Sequence, residues 1–327
     1  MMPLVSCETD RLAKYRHRFS LGKPICETKT GDISCSTDSK LLEQYSTLTS
    51  YVYIKQLPNY FQSEESIDIL KRYLKKQNAI DFLATVNLSE LNKNKKALVY
   101  DLPPGEMLSS YIKRKSVKMN YQQVSFLLIK LKDMIEQLSL VDMQHGRIEI
   151  DSIYISKDEH LYLLDSAIVA AKHELLKREM LPSRAVPNQE ATTASPEVCF
   201  GRDVAIQDNV FNLTLLAYQL IYNHHPYDGD NSVQALIRKC RATRLEVMTD
   251  NQWAIFRQGL SFHSANRFAS LSELIEALLC VNNPDGLKFQ LSKNQNAALT
   301  AWYNLNHAVK KKLCMIIPAS LGQAFKR

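Results

Sequence analysis

The alternation of apolar and polar positions in the first hundred residues predicts a small sheet with one helix. The run SYVYI at 50–54, which leads into Lys55, is rich in β-branched and aromatic side chains and predicts a strand. Segments 81–91 and 95–102 predict an antiparallel strand pair around a polar turn. Between these strands, residues 63–77 begin with a cap-like serine and carry apolar side chains along one helical face. This part of the chain is therefore predicted to contain both strands and a helix.

The pattern after residue 103 is mainly helical. Residues 121–143 carry apolar side chains at helical spacing and predict a long amphipathic helix. Two short apolar runs, 153–155 and 161–164, predict a hairpin that ends at Asp165. The sequence therefore predicts an α+β protein in which a small β-rich part precedes a larger helical part.

The stretch HGRIEIDS, followed thirteen residues later by Asp165-Ser166-Ala167, resembles a catalytic centre with altered chemistry. Protein kinases carry an H-R-D-x-x-x-x-N loop and then a D-F-G turn, which supply a base and metal ligands. Four positions of the stretch fall on the working positions of that loop: His145 on the histidine, Arg147 on the base, Glu149 on the usual lysine and Ser152 on the metal-binding asparagine.

Further segments extend the resemblance in the same chain order. Val52–Lys55 resembles the V-A-I-K strand, and Ser195-Pro196-Glu197 resembles the A-P-E that closes an activation segment. Residues 264–268 are similar to the later kinase segment whose arginine pairs with that glutamate, which implies an ion pair between Glu197 and Arg267. The chain is therefore similar to the protein kinase-like superfamily, as a degenerate member that resembles a pseudokinase.

The resemblance implies a bilobal, protein-kinase-like fold with a β-rich N-lobe and a larger, mainly helical C-lobe. The implied domains are an N-terminal extension at 1–18, the N-lobe at 19–102, the C-lobe at 103–282 and a C-terminal helical extension at 283–327. Other implied parts are a hinge at Tyr100, Asp101 and Leu102, a regulatory helix at 63–77, an activation-segment equivalent at 168–194 with a flexible part at 182–194, and a central helix at 209–227 with Asn209 where kinases have aspartate.

The replaced positions predict that ordinary phosphotransfer is lost. Arginine has only donors and stays protonated, so Arg147 cannot accept a proton from a substrate hydroxyl. Ser166 and Ala167 replace the phenylalanine and glycine of the turn, which predicts an inactive, restricted switch region. We therefore expect no catalytic residues among the degenerate positions.

The retained Lys55 and Asp165 are candidate nucleotide contacts. Asp165 with only a Ser152 hydroxyl is a poor magnesium site, because that ion is held by carboxylates together with substrate phosphates. We expect ATP as an optional ligand, weak or absent magnesium binding and no required cofactor. We also expect Arg147 and Asp165 to face one cleft and neutralise each other.

Two kinase features have weak counterparts. The acids of the helix at 63–77 lie early in it, so Lys55 is expected to lack its usual glutamate partner. Gly22 and Gly31 each stand alone in a candidate phosphate hairpin, whereas a phosphate cradle needs several glycines. The sequence does not decide which hairpin covers the cleft. The alternative is that Gly22 and Gly31 are ordinary turn residues with no role in phosphate binding.

Charge and cysteine content limit the partner classes. The formal charge is +7, with the basic residues in scattered clusters. These clusters predict solvated faces or contact with an acidic partner. No nucleic-acid-binding motif is present, and Pro318 interrupts the basic C-terminal segment that could otherwise lie on a membrane surface. We expect a protein partner, such as a kinase, a phosphatase or a substrate protein.

Seven cysteines, an odd number without C-x-x-C spacing, predict a reducing, cytoplasmic compartment and no zinc site. No run approaches the length of a membrane span, no signal core is present at the N-terminus, and the adjacent His224-His225 predict a loop rather than a metal pair.

The function expected from the sequence is that of a catalytically inactive or severely impaired kinase homologue that acts as a scaffold or allosteric regulator. One alternative is an unconventional nucleotide-dependent transferase, either a weak kinase or a nucleotidyl transferase, that uses Lys55 and Asp165. A third alternative is anchoring to nucleic acid or a membrane through the basic clusters.

Overall fold

The structure is a computed structural model that describes residues 19–26, 33–38, 51–61, 63–80, 83–92, 95–115, 118–178 and 193–281. By its contacts the chain divides into two compact units, Met1–Asn282 and Asn283–Arg327. The second unit, the N-terminal extension, Gly31 and most of the segment at 182–194 lie outside the described residues.

A five-stranded antiparallel sheet forms the first part of the molecule. Its strands are β1 (Phe19–Cys26), β2 (Ile33–Asp38), β3 (Tyr51–Gln56), β4 (Thr85–Asn92) and β5 (Lys95–Asp101), in the order β1-β2-β3-β5-β4. The predicted pairing of β4 with β5 is confirmed. Gly22 lies within β1, and the connection that holds Gly31 follows this strand.

Helix α1 (Glu64–Gln77) lies between β3 and β4 in the chain, as predicted. The Ser63 hydroxyl accepts a hydrogen bond from the Ser66 N–H and so caps the first turn. The apolar stripe Ile67, Leu70 and Leu74 is buried. Helical spacing thus decides which face of α1 packs against the protein.

The second part is mainly helical. Its elements are a three-stranded sheet made of β6 (Gly105–Met107), β7 (Ile153–Ser156) and β8 (Leu161–Leu163), and the helices α2 (Leu108–Lys115), α3 (Tyr121–Leu140), α4 (Ser166–Lys177), α5 (Pro196–Cys199), α6 (Ile206–Tyr222), α7 (Ser232–Ile237), α8 (Asp250–Gly259) and α9 (Leu271–Cys280). Single 3₁₀ turns occur at Ile150–Ser152 and Ser264–Asn266.

One connected apolar core runs through both parts. It extends from Tyr53 and Leu98 in the sheet, through Leu128 and Leu131 of α3, to Leu278 of α9. Helix α6 is buried on nearly every side, including the polar side chains of Asp208, Asn209, Asn212 and Thr214. The predicted α+β arrangement of a small β-rich lobe and a larger helical lobe is confirmed.

No helix among the described residues is both long enough and apolar enough to cross a bilayer.

Candidate functional site

Lys55 and Asp165 meet between the two lobes. Strand β3 carries Lys55, whose Nζ donates to Oδ2 of Asp165 at 2.6 Å, and the lysine side chain is 0% exposed. The hydroxyl of Tyr100, near the end of β5, donates to the other carboxylate oxygen at 3.1 Å. Burial and the neighbouring carboxylate raise the pKa of Tyr100 well above its usual value, so its hydroxyl stays a donor. Both oxygens of Asp165 are thus engaged by protein groups.

The partner of Asp165 differs from the one predicted. We expected Arg147 to neutralise this carboxylate, and that expectation was wrong, because Lys55 takes the position. The early acids of α1, Glu64, Glu65 and Asp68, are exposed, so none of them competes for Lys55 inside the protein. The partly exposed Arg147 has a buried Nη2 nitrogen with no hydrogen-bond partner in the structure.

Ser152, at the metal-ligand position, is used locally. Its hydroxyl donates to the carbonyl of Glu149 at 2.8 Å and accepts from the N–H of Glu149 at 3.0 Å. This reciprocal contact closes the 3₁₀ turn at Ile150–Ser152. Among the residues that the structure describes, no group of three or more His, Cys, Asp or Glu side chains could hold a metal ion.

Two tyrosines from opposite lobes fill the space beside Lys55. Tyr53 lies two positions before Lys55 on β3 and therefore on the same face of that strand. Its ring meets that of Tyr154, from β7, edge to face at 5.2 Å and 68°. The two hydroxyls are 2.9 Å apart, and the hydroxyl of Tyr154 donates to the carbonyl of Pro103 at 2.7 Å. The tyrosines thus link β3, β7 and the connection after β5.

Both rings lie where the kinase pattern would put a nucleotide base. The lysine strand and the inter-lobe connection are the two elements between which the base would lie. Tyr154 is 0% and Tyr53 is 9% exposed, so little solvent reaches the space that the rings occupy. Lys55 is also paired with the carboxylate of Asp165.

Helix α4 begins directly after Asp165, two residues before the activation-segment equivalent at 168–194. Asp165 has φ +66°, and Ser166 and Ala167 are buried in the first turn. The N–H of Ala167 donates to Oε1 of Gln77 at 3.0 Å. On the outside, Arg72 of α1 pairs with Glu174 of α4 at 2.9 Å. Helix α4 is therefore held to α1 by one hydrogen bond and one ion pair.

No known protein family and no curated protein sequence matches the chain. The structure is similar to the crystal structure of a mutant of the PknI kinase domain from Mycobacterium tuberculosis. The match covers 85% of this chain and 98% of that chain, with a TM-score of 0.55 and 13% sequence identity. The chain has a protein-kinase-like fold.

The kinase-like fold places Glu197 and Arg267 together at the base of the helical lobe. Nη2 of Arg267 lies 2.7 Å from Oε2 of Glu197, and its Nη1 lies 3.1 Å from Oδ1 of Asp208. The arginine side chain is 0% exposed, and its guanidinium also stacks over the ring of Phe211 at 5.0 Å. Ser195 donates to the same oxygen of Asp208 at 2.7 Å.

The equivalent of the kinase catalytic loop is clamped to the central helix α6. The side chain of Asn212 accepts from the N–H of Ile148 at 2.8 Å, and it donates to the carbonyls of Ile148 at 2.9 Å and Thr193 at 3.1 Å. The loop therefore has a fixed position.

His145 and Gly146 shape that loop. His145 is buried, and burial, together with the nearby charge of Arg147, lowers its pKa to about 4, so that the ring is neutral at pH 7. Gly146 has φ +65°, and a Cβ at this position would approach Cγ2 of Val204 to 2.7 Å. A kinase has arginine where this chain has Gly146, and that side chain has no room here.

His224 and His225 lie in the connection after α6. Nδ1 of His225 accepts from the N–H groups of Tyr227 at 3.2 Å and Gly229 at 3.1 Å. The imidazole of His225 therefore organises a turn. The two histidines lie in a loop, as the sequence predicted.

The sequence predicted that Lys55, Tyr100 and Asp165 belong to one site. It did not predict the contact between the rings of Tyr53 and Tyr154. Tyr53 stands where the V-A-I-K motif has alanine, and that replacement of a small residue by a large one was a signal in the sequence. Tyr154, two residues after Ser152, carried no comparable signal, because an aromatic side chain in a strand is ordinary.

Proposed function

We propose that this kinase-like protein performs no phosphotransfer and acts by binding another protein, as a scaffold or allosteric regulator. The observation that carries this proposal is the filled cleft, in which Tyr53 and Tyr154 occupy the space beside Lys55. The nucleotide that the sequence allowed as an optional ligand is excluded while these rings stay in place.

Two further features support the proposal. Arg147 at the base position has no lone pair with which to accept a proton, and the hydroxyl of Ser152 is engaged by the backbone of Glu149. Losing a base alone costs about a hundred- to ten-thousandfold in rate, which leaves slow transfer open. The closed nucleotide space adds a second, independent obstacle.

Thermal unfolding with ATP, with and without magnesium, tests the exclusion of nucleotide. We expect no change in the melting temperature of the wild-type protein, because a ligand stabilises a protein only by binding its folded state. A strong magnesium-dependent stabilisation would contradict the proposal. The ligand-free melting temperature in each buffer serves as the baseline.

A labelled-phosphate assay tests the loss of transfer. We expect no transfer by the wild-type protein to itself or to a generic acceptor protein. The Arg147→Asp variant supplies the missing carboxylate, and it is also expected to be inactive, because the tyrosines still fill the cleft. Any transfer by the wild-type protein would contradict the proposal, and transfer by Arg147→Asp alone would show that the tyrosines do not keep the nucleotide out.

The contact between Lys55 and Asp165 favours one second candidate, an unconventional nucleotide-dependent transferase. These two side chains are retained from the kinase motifs and lie together. Mass spectrometry after incubation with ATP separates the candidates. An added phosphate or nucleotide on the protein would support the transferase, whereas an unchanged mass supports the binding protein.

The expected partner is a kinase, a phosphatase or a substrate protein in a reducing, cytoplasmic compartment. The odd number of cysteines supports this compartment, as do the exposed free thiols of Cys240 and Cys280. Affinity capture followed by mass spectrometry would identify the partner. Salt-dependent binding of the protein to nucleic acid or to anionic lipid would point instead to the basic clusters.

A further inference from the structure

A groove of about 430 Å³ lies on the outer side of the N-lobe, between α1 and β4. Its apolar lining consists of Leu74, Ala79, Val86 and Leu88. The groove is separate from the cleft that holds Lys55, and no contact of the cleft described above involves its lining residues. It is therefore a candidate site that the kinase resemblance does not assign.

Strand β4 is the last strand of the sheet, so one of its edges has no strand partner among the described residues. At Val86 that edge is satisfied by a side chain. Asn78 donates to the carbonyl of Val86 at 2.8 Å and accepts from its N–H at 2.9 Å. A neighbouring strand would make the same two hydrogen bonds, so the amide of Asn78 occupies one residue position of an absent strand.

The backbone direction at Val86 fixes the directions farther along β4. Successive residues of a strand point their N–H and C=O groups to opposite sides. Because the Val86 groups face away from β5, those of Leu88 face away as well, and the edge is open next to the groove. An unpaired strand edge is a ready template for another chain.

Positive charge borders this open edge. Lys71 and Lys75, one helical turn apart on α1, both line the groove and are exposed. Lys71 contacts Asp68 at 2.9 Å, but both side chains are more than half exposed, at 59% and 70%. A pair this exposed contributes little to stability and exchanges readily for another carboxylate. The groove thus offers apolar surface, backbone hydrogen bonds and cations together.

We propose that this groove binds an extended acidic-apolar segment of a partner protein, which adds to β4 as a further strand. Its backbone pairs with Leu88, its apolar side chains enter the groove beside Leu74 and Leu88, and its carboxylates face Lys71 and Lys75. Main-chain pairing supplies affinity in this mode of recognition, and the alternating side chains supply specificity. The inference rests on the proposed function, because it names the surface through which the protein would bind a partner.

The probe is a fluorescein-labelled synthetic peptide with the sequence EVEFEVEG, and its control is the matched basic peptide KVKFKVKG. Fluorescence polarisation with the full chain should show saturable binding of the acidic peptide and at least tenfold weaker binding of the basic one. Equal binding of both peptides, or no binding of the acidic peptide, would overturn the proposal.

The variant that reverses the bordering charge is Lys71→Glu together with Lys75→Glu. Its matched control is Lys239→Glu with Arg241→Glu, which reverses two exposed cations in the helical lobe. We expect the first variant to weaken binding of the acidic peptide about tenfold or more, and the control to change it less than about twofold. Circular dichroism checks that both variants are folded. An equal loss in both would show non-specific attraction and overturn the site.

Amide hydrogen exchange tests the added strand itself. Binding should slow exchange of the Leu88 N–H, which faces the open edge, and leave the Val86 N–H, already bonded to Asn78, nearly unchanged. Unchanged exchange at Leu88 would overturn the strand addition. A dimer of this chain whose interface protects Leu88 without peptide, or binding to vesicles of anionic lipid in place of the peptide, would assign the groove to those occupants instead.

Failure of this inference and failure of the proposed function are distinguishable. Absence of peptide binding, with the wild-type protein also silent toward ATP, would overturn the groove and leave the inactive cleft intact. Peptide binding by a protein that also transfers phosphate would support the groove and overturn the proposed function.

Discussion

The cleft and the base of the helical lobe each hold a buried ion pair, but only the pair at the base joins the two residues that the kinase pattern pairs. At the base, Arg267 keeps both the residue type and the partner, Glu197, that the family pattern implies. In the cleft, Lys55 and Asp165 keep their residue types, but each is the partner of the other, and tyrosines fill the adjacent space. The pairing of Glu197 with Arg267 follows the kinase pattern, whereas Lys55 and Asp165 form a buried pair with each other.

The two buried cations differ in how many partners they need. Arg267 donates to three backbone carbonyls and two carboxylates, so no other side chain could satisfy its surroundings. The lysine in the cleft needs only one carboxylate to be buried without an unpaired charge.

Removing Arg267 should have the largest effect. Arg267→Ala leaves the carboxylates of Glu197 and Asp208 without their cation and should lower the free energy of unfolding by about 3–5 kcal/mol. The matched control is Arg244→Ala, which breaks an exposed pair with Asp250 and should cost less than about 1 kcal/mol. Urea denaturation measures both. Equal costs would mean that the buried pair is not structural.

Breaking the pair in the cleft should cost about 3 kcal/mol. Lys55→Met keeps the length of the side chain but leaves the buried carboxylate of Asp165 uncompensated. The double variant Lys55→Met with Asp165→Asn removes both charges and should recover most of the loss. A double-mutant cycle in urea measures the coupling. Additive losses would show that the two side chains do not depend on each other.

His145 should make stability depend on pH. Its pKa in the folded protein, about 4, lies below its ordinary value, so the unfolded chain takes up the proton first as the pH falls. The stabilisation by the neutral ring of His145 is complete above about pH 6.5 and is lost as the pH falls toward 4. At about pH 4.5 the free energy of unfolding is lower by roughly 2.5 kcal/mol. His145→Phe should lack this part of the pH dependence. Parallel curves for the two proteins would contradict the buried, neutral state.

The extra cost of Gly146→Ala over Gly201→Ala should be the smallest of these effects. Gly146 and Gly201 both have positive φ, but only at Gly146 would a Cβ meet a side chain, that of Val204. Each substitution by alanine carries a left-handed backbone cost of about 1–2 kcal/mol, and Gly146→Ala should cost about 1 kcal/mol more. Urea denaturation of both variants measures the difference. The addition of Val204→Ala should reduce it, and no reduction would argue against the contact.

Much of the fold could be predicted from the sequence because hydrophobic periodicity reflects packing. The apolar stripe of α1 and the pairing of β4 with β5 follow from local patterns that packing enforces. The partner of Asp165 could not be predicted in the same way, because Lys55 is 110 positions away and Arg147 was a plausible competitor. The contact between Tyr53 and Tyr154 spans 101 positions and depends on how the lobes close. Pairings of this kind are set by tertiary packing rather than by local sequence.

The central claim is that the cleft is filled by its own side chains. Calorimetric titration with magnesium and ATP, up to about 1 mM, compares the wild-type protein with the variant Tyr53→Ala plus Tyr154→Leu, and with Tyr162→Leu as a neighbouring control. The filled cleft predicts no binding heat for the wild-type protein or the control, and measurable binding once the two rings are removed. Saturable binding of ATP by the wild-type protein would contradict it.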